Sequence, residues 1–159
     1  MKKITFTLIS MTVASVFITS CNSNPSKDLI VRKWKVASMK INDEDQQVRM
    51  VQQKAAIDTI KDSLQKVQYK SEVAQMEGLL QSTTEFKNDG AYESTMPTNK
   101  SGNWELTGEG KKLVFTLGEK KQDGTFEKDT ARIDELSKEK LAITFPGMFT
   151  ASFVFVPAQ

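Results

Sequence analysis

The feature that most constrains the fold is the alternation of apolar and polar side chains in the second half of the chain. From Thr83 onward, apolar residues recur at every second position in short segments, and turn-forming residues separate these segments. A period of two is that of a β-strand with one buried face, whereas a helix repeats every 3.6 residues. Strands joined by short turns pair with their chain neighbours as an antiparallel meander. The second half of the chain is therefore predicted to be an antiparallel sheet.

Turn signals set the strand boundaries. Asn-Asp-Gly, Gly-Glu-Gly and Pro-Gly are among them, and the first lies inside an otherwise strand-like segment at 84–92. The remaining strands are predicted at 102–107, 113–117, 125–136, 141–145 and 149–156, with a further strand at about 29–41. About seven such strands close most economically into a barrel, because closure removes exposed sheet edges.

Residues 43–82 have a helical composition instead. They contain no Pro, no Gly before Gly78, and many Gln, Lys, Glu and Ala residues. Apolar residues at helical spacing form one stripe of Met50, Ile57, Ile60, Leu64 and Val67, and a second, out-of-phase stripe of Tyr69, Val73, Met76 and Leu80.

The phase shift between these stripes predicts two helices or one bent helix, with Asn42 or Asp43 as the N-cap. A helical segment of this kind packs along its own domain, is offered to a partner, or dimerises as a coiled coil.

The N-terminus has the parts of an export signal. Two lysines, Lys2 and Lys3, precede an almost uncharged stretch at 4–20, and the single cysteine, Cys21, follows it. The apolar stretch of about 15 residues is shorter than the roughly 20 that span a bilayer. Residues 18–21 resemble the bacterial lipobox, which implies a signal peptide at 1–20 and lipidation of Cys21 by acyl chains such as palmitate. The alternatives are a signal peptide cut elsewhere, or a buried N-terminal helix with an incidental cysteine.

Cleavage after residue 20 would remove two of the 22 basic residues, so that 20 basic and 20 acidic residues remain and the formal net charge is zero. A neutral chain offers no basic stripe for nucleic acid, so no nucleic-acid partner is predicted. Asn22 follows Cys21, where Asp would be a retention signal, so by resemblance to Gram-negative sorting we expect an outer-membrane lipoprotein facing the periplasm. Residues 21–27 are interpreted as a tether, and 28–159 as one domain.

The residues available for catalysis are few. The chain contains no His, and lipidation would occupy its one Cys, which excludes Ser/His/Asp and Cys/His arrangements and a multi-thiolate metal site. The clustered carboxylates at 43–45 and 134–135 are interpreted as capping and solvated groups rather than as an acid–base pair. We therefore predict a protein that is not an enzyme and has no cofactor or metal. A carboxylate hydrolase is the least favoured alternative.

The strand segments resemble the lipocalin-like domains of many bacterial lipoproteins. The residues that carry the resemblance are Leu29, Trp34, Thr84-Glu85-Phe86-Lys87-Asn88-Asp89-Gly90-Ala91-Tyr92, Gly102-Asn103-Trp104-Glu105-Leu106, Leu113, 133–136 and 140–143. The resemblance covers most of 28–156 and implies a mainly β fold. The expected architecture is an antiparallel up-and-down lipocalin-like β-barrel with a long helical segment between its first and second strands. Two features depart from the family pattern, namely Arg32 in place of a glycine and the helical insertion itself.

The aromatic residues of the strands would converge inside such a barrel. A barrel of about eight strands is just wide enough for side chains or one small ligand, so these residues either fill the core or line a pocket. Arg32 and Tyr92 are the predicted polar groups at its rim. The predicted ligand-binding residues are Trp34, Phe86, Tyr92, Trp104, Phe115 and Phe153, and Phe145 and Phe155 are expected to lie beside them.

Two functions follow from these alternatives. The first is a lipid-anchored envelope protein that binds a small hydrophobic or amphipathic ligand. The second is an envelope scaffold with a filled barrel, whose helical segment binds a protein partner.

Overall fold

The computed structural model describes residues 25–97 and 101–159. The helices are α1 (Pro25–Ile30), α2 (Gln46–Ile57) and α3 (Ser63–Leu80). The strands are β1 (Lys33–Ile41), β2 (Glu44–Asp45), β3 (Thr83–Phe86), β4 (Ala91–Ser94), β5 (Ser101–Thr107), β6 (Lys112–Lys120), β7 (Phe126–Leu136), β8 (Leu141–Phe145) and β9 (Ala151–Pro157).

The strands form one closed antiparallel barrel. Each strand from β3 to β9 pairs with the next along the chain, and β1 closes the ring by pairing with both β3 and β9. Strand β2 has only two residues and extends the edge of β1. The eight remaining strands confirm the predicted fold, a mainly β up-and-down barrel with a helical segment between its first and second strands.

Two of the predicted strands differ most from the observed ones, whereas β6 and β9 differ from the predicted 113–117 and 149–156 by a few residues at their ends. The segment at 84–92 is a hairpin of β3 and β4, because Gly90 adopts a positive φ of 89° and the Asp89 carboxylate accepts a hydrogen bond from the Ala91 amide at 2.9 Å. The first strand begins at Lys33 rather than at 29, because α1 occupies Pro25–Ile30. Proline suits the first position of a helix, where its missing N–H has no acceptor to lose.

The helical segment consists of two helices, which is one of the two alternatives that the shift between its apolar stripes predicted. The predicted cap was wrong, since Asn42 and Asp43 have positive φ values of 48° and 65° and form the turn between β1 and β2. Asp45 caps α2 instead, and its carboxylate accepts hydrogen bonds from the amides of Gln47 at 2.8 Å and Val48 at 3.2 Å.

The helix pair covers an edge of β1 that β3 leaves bare. Strand β3 pairs only with the first three residues of β1. Beyond them, the Val36 amide donates to the Ser82 carbonyl at 3.0 Å, and the Gln47 side-chain amide donates to the Ala37 carbonyl at 3.0 Å. Gln47 of α2 and Ser82, which follows α3, therefore pair with backbone groups of β1 beyond the part that β3 covers.

The first apolar stripe is only partly buried. Met50, Ile57 and Ile60 are half-buried, whereas Leu64 and Val67 are 81% and 66% exposed. Packing along its own domain, the first of the three predicted alternatives, therefore holds for this stripe only as far as Ile60, where α2 has ended and α3 has not yet begun.

Candidate ligand-binding cavity

One end of the barrel is filled and covered by α1, and we call it the closed end. Ile30 of α1 is fully buried in the core, together with Leu113, Ala131 and Leu141 from three different strands. The side chain of Ser26 approaches the β5–β6 turn, where a Cβ at Gly110 would lie 3.0 Å from its hydroxyl oxygen. Among the described residues, buried side chains and α1 thus fill the closed end.

Two buried tryptophans fix the structure of the closed end. The Trp34 indole N–H donates to the Ile30 carbonyl at 2.9 Å, and the Trp104 indole N–H donates to the Lys87 carbonyl at 3.1 Å. The Arg32 guanidinium lies 5.4 Å from the centre of the Trp34 ring and donates to the Lys138 carbonyl at 2.9 Å. Both indole nitrogens have acceptors, so these residues are satisfied as structural groups.

The other end, where the β6–β7 and β8–β9 turns lie, is the open end and contains a cavity of about 310 Å³. This volume far exceeds the roughly 30 Å³ taken up by one water molecule and lies at the lower limit of pockets that hold small organic ligands, about 300–1,000 Å³. The cavity is lined by Leu79, Thr84, Phe86, Tyr92, Ser94, Met96, Phe115, Asp129, Ile143, Phe145, Ala151, Phe153 and Phe155.

A series of aromatic rings forms much of the cavity wall. The ring of Phe86 packs edge-on against that of Trp104, with 5.4 Å between the ring centroids, and the Phe86 and Phe115 centroids are 6.0 Å apart. The Phe145 centroid lies 5.8 Å from that of Phe115. Phe145 also packs edge-on against Phe153, with 6.0 Å between their centroids. Such ring contacts are individually favourable and hold the wall in shape without a ligand.

Tyr92 places a polar atom in this apolar wall. Its side chain is only 2% exposed, and its ring meets Phe115 edge-on at 5.3 Å. The ring passes close to Gly102, where a Cβ would lie 2.9 Å from the Tyr92 Cε1 atom. Within the described residues, the Tyr92 hydroxyl is the one buried side-chain group without a hydrogen-bond partner. Burial raises the pKa of this phenol, and the nearby Asp129 charge raises it further.

Among the described residues of the cavity lining, Asp129 is the one that carries a charge. It lies on β7 opposite Phe115 of β6, and it is half-buried. In the part of the chain that the structure describes, neither a basic side chain nor a hydrogen-bond donor pairs with its carboxylate.

The other hydroxyls of the lining have protein partners. Thr84 and Ser94 share a hydrogen bond of 2.9 Å across the β3–β4 pair. Ser94 also lies 3.2 Å from the Thr83 carbonyl and accepts from the Met96 amide at 3.1 Å. Tyr92 and Asp129 are therefore the polar groups of the cavity that remain available to a ligand.

Four of the six predicted ligand-binding residues line the cavity, namely Phe86, Tyr92, Phe115 and Phe153. Trp34 and Trp104 do not, because they pack in the core toward the closed end. Neither predicted rim residue lies at a rim. Arg32 stacks on Trp34 at the closed end, and Tyr92 lies deep in the wall.

Sequence reasoning missed Asp129, although a signal for it exists. Asp129, Ala131 and Ile133 share one face of β7, and Ala131 is fully buried. An acidic residue in phase with buried apolar neighbours is the pattern of a charge that faces the interior.

No group of three or more acidic, Cys or His side chains in the described residues is arranged to hold a metal ion. No helix among those residues is both long and apolar enough to cross a bilayer. Cys21, the predicted lipidation site, lies outside the described residues.

Eight antiparallel strands in up-and-down order, with one covered end and an apolar cavity at the other, define a barrel of the lipocalin-like class. No family model matches the chain, and no curated protein matches it. Among solved structures, the chain is similar to a lipocalin-like protein from Bacteroides uniformis, with 15% identity and a TM-score of 0.44. The match covers 82% of this chain and 99% of that one.

Proposed function

We propose that this protein binds a small hydrophobic or amphipathic molecule in the cavity at the open end of the barrel. The observation that carries the proposal is a space of about 310 Å³ walled by Phe86, Phe115, Phe145 and Phe153. An apolar ligand gains roughly 25 cal/mol for each Å² of apolar surface that it removes from water, so such a wall favours binding. With no His in the chain and a single carboxylate among the described residues of the lining, binding without catalysis is the function that the cavity supports best.

Attachment to the outer membrane through lipidated Cys21 is the second part of the proposal. Its support is the sequence of residues 1–21, in which the single cysteine follows a short apolar segment. Four peptide steps separate Cys21 from Pro25, the start of α1, and an extended chain of that length spans at most about 14 Å. A lipid on Cys21 would therefore hold the closed end near the bilayer, because α1 covers that end.

Titration with the hydrophobic fluorophore N-phenyl-1-naphthylamine tests the cavity. We expect saturable binding to the wild type and loss of binding in Ala151→Phe, which places a ring in the lumen. The matched control is Ala142→Phe, which adds the same ring to the same barrel outside the lining, and it should bind as the wild type does. Equal binding by both variants would contradict the cavity assignment.

Native mass spectrometry of protein purified from its own cells tests whether the site is used. A copurifying small molecule that is lost in Ala151→Phe supports the proposal.

Cell fractionation tests the anchor. Cys21→Ala should move the protein from the membrane to the soluble fraction. Ser20→Ala keeps a small residue before the cysteine and should leave the protein membrane-bound. Persistent membrane association of Cys21→Ala would overturn the anchor.

A second candidate function is binding of an envelope protein through the helix pair. The supporting observation is a set of exposed apolar side chains on α2 and α3, namely Val48, Val51, Leu64 and Val67. Crosslinking in intact cells tests it, since Leu64→Ser combined with Val67→Ser should abolish a specific adduct while leaving fluorophore binding intact.

A further inference from the structure

The cavity contains two polar groups that the protein itself does not satisfy. The Tyr92 hydroxyl is buried and has no hydrogen-bond partner among the described residues. A buried polar atom without a partner is rare in folded proteins and destabilises them, so a ligand that supplies the partner is a natural explanation.

The second unsatisfied group is the Asp129 carboxylate. Asp129 lies opposite Phe115, whose ring contacts the Tyr92 ring at 5.3 Å, so the two polar residues border the same part of the lining. The electrostatic effect of Asp129 on the pKa of Tyr92 agrees with this proximity. The described lining contains no Lys or Arg to balance the negative charge.

The charge on Asp129 discriminates among ligand head groups. A carboxylate head, as in a fatty acid, would be repelled by Asp129 and would find no cation among the described residues of the lining. A neutral alcohol could hydrogen-bond but would leave the charge unbalanced. A protonated amine offers several N–H donors, so it can form a charge-assisted hydrogen bond to the carboxylate and a second hydrogen bond to the phenol oxygen.

We propose that the ligand is a hydrophobic amine, whose apolar body lies among the phenylalanines and whose ammonium group pairs with Asp129 and Tyr92. This inference rests on the proposed function and specifies the ligand class for that site.

Calorimetric titration with three probes of equal chain length tests the head-group preference. Octylamine, 1-octanol and octanoate share an eight-carbon tail and differ in charge at pH 7, where an alkyl amine with a pKa of about 10 is protonated. We expect octylamine to bind the wild type roughly 10- to 100-fold more tightly than 1-octanol, and octanoate to bind most weakly.

Two variants assign the preference to residues. Asp129→Asn should reduce the affinity for octylamine to that for 1-octanol, and it should leave the affinity for 1-octanol unchanged. Tyr92→Phe should reduce the affinity for octylamine by a smaller factor, about threefold to tenfold. Glu105→Gln is the matched control, because Glu105 is exposed and outside the lining, and it should leave all three affinities unchanged.

The outcomes separate this inference from the proposed function. Equal binding of octylamine and 1-octanol by the wild type, or tightest binding of octanoate, would overturn the amine preference and keep the hydrophobic site. Binding of none of the three probes would overturn the proposed function as well. An amine preference that survives Asp129→Asn would overturn the role of Asp129. The wild-type comparison stands even where a variant does not fold.

Discussion

The two ends of the barrel are built from the same strands and serve different purposes. At the closed end, α1 supplies Ile30 to the core, and both tryptophan N–H groups have acceptors. At the open end, the wall is also aromatic, but it surrounds a space and contains a phenol and a carboxylate that have no hydrogen-bond or ion-pair partner among the described residues. The comparison teaches that the filled core and the proposed binding cavity lie at opposite ends of the barrel axis.

The largest expected effect tests this separation directly. Trp34→Ala should lower the free energy of unfolding by about 3–5 kcal/mol, because it leaves a large void in the fully buried closed end. Phe153→Ala should cost only about 1 kcal/mol, because its half-buried side chain already borders a space. Urea denaturation measures both. Equal losses would show that the two ends contribute alike to stability.

The next prediction concerns Gly102, where a side chain would collide with the backbone of Thr116 and with the ring of Tyr92. In Gly102→Ala, the new Cβ would lie 2.2 Å from the Thr116 carbonyl oxygen and 2.9 Å from Tyr92 Cε1. Overpacking of this kind typically costs about 1–3 kcal/mol, and we expect octylamine binding to weaken as well because Tyr92 must move. Unaltered stability and binding in the variant would show that Tyr92 does not depend on the close approach at Gly102.

The pH dependence of stability isolates the unsatisfied phenol. Since the folded state raises the pKa of Tyr92, its neutral form contributes stability below the unfolded pKa of about 10, and this contribution is lost as the pH rises above that value. The wild type should therefore lose stability more steeply between about pH 9.5 and 11 than Tyr92→Phe, as thermal melts in that range would measure. Tyr69→Phe on α3 serves as the control, and the same change in slope there would contradict the assignment to Tyr92.

The smallest expected change in stability comes from a substitution in α3, outside the barrel. Gly78 is in α3, and a Cβ there would contact nothing within 4 Å. Gly78→Ala should raise the free energy of unfolding by about 0.5–1 kcal/mol, because alanine loses less backbone freedom in a helix. Ligand affinities should stay unchanged in calorimetry, and a changed affinity would show that α3 stability controls the open end.

The sequence predicted the fold better than it predicted the site. Alternation, glycine turns and helical spacing of apolar residues are local signals, so the barrel strands and a helical insertion of two helices or one bent helix could be recognised from them. Helix α1 was missed because its six residues are stabilised by tertiary contacts, through Ile30 and the Trp34 indole, that leave no periodic pattern.

The site was harder to predict because an inward-facing residue does not reveal how far along the barrel it lies. Trp34 and Phe86 both face inward, yet only Phe86 borders the cavity. Asp129 could have been found from its phase with Ala131, whereas the missing partner of Tyr92 depends on the three-dimensional packing around Gly102.

Because α1 covers the closed end, it affects the rates at which the proposed ligand would bind and dissociate. A molecule bound as proposed would enter and leave the described barrel at the open end, beside the turn that carries Met148 and Phe149. A turn that obstructs this route would raise the energy barrier to entry and to exit by the same amount. It would slow association and dissociation by the same factor and leave the dissociation constant unchanged. Changes in this turn would therefore alter the residence time of such a ligand, while the cavity wall would set its affinity.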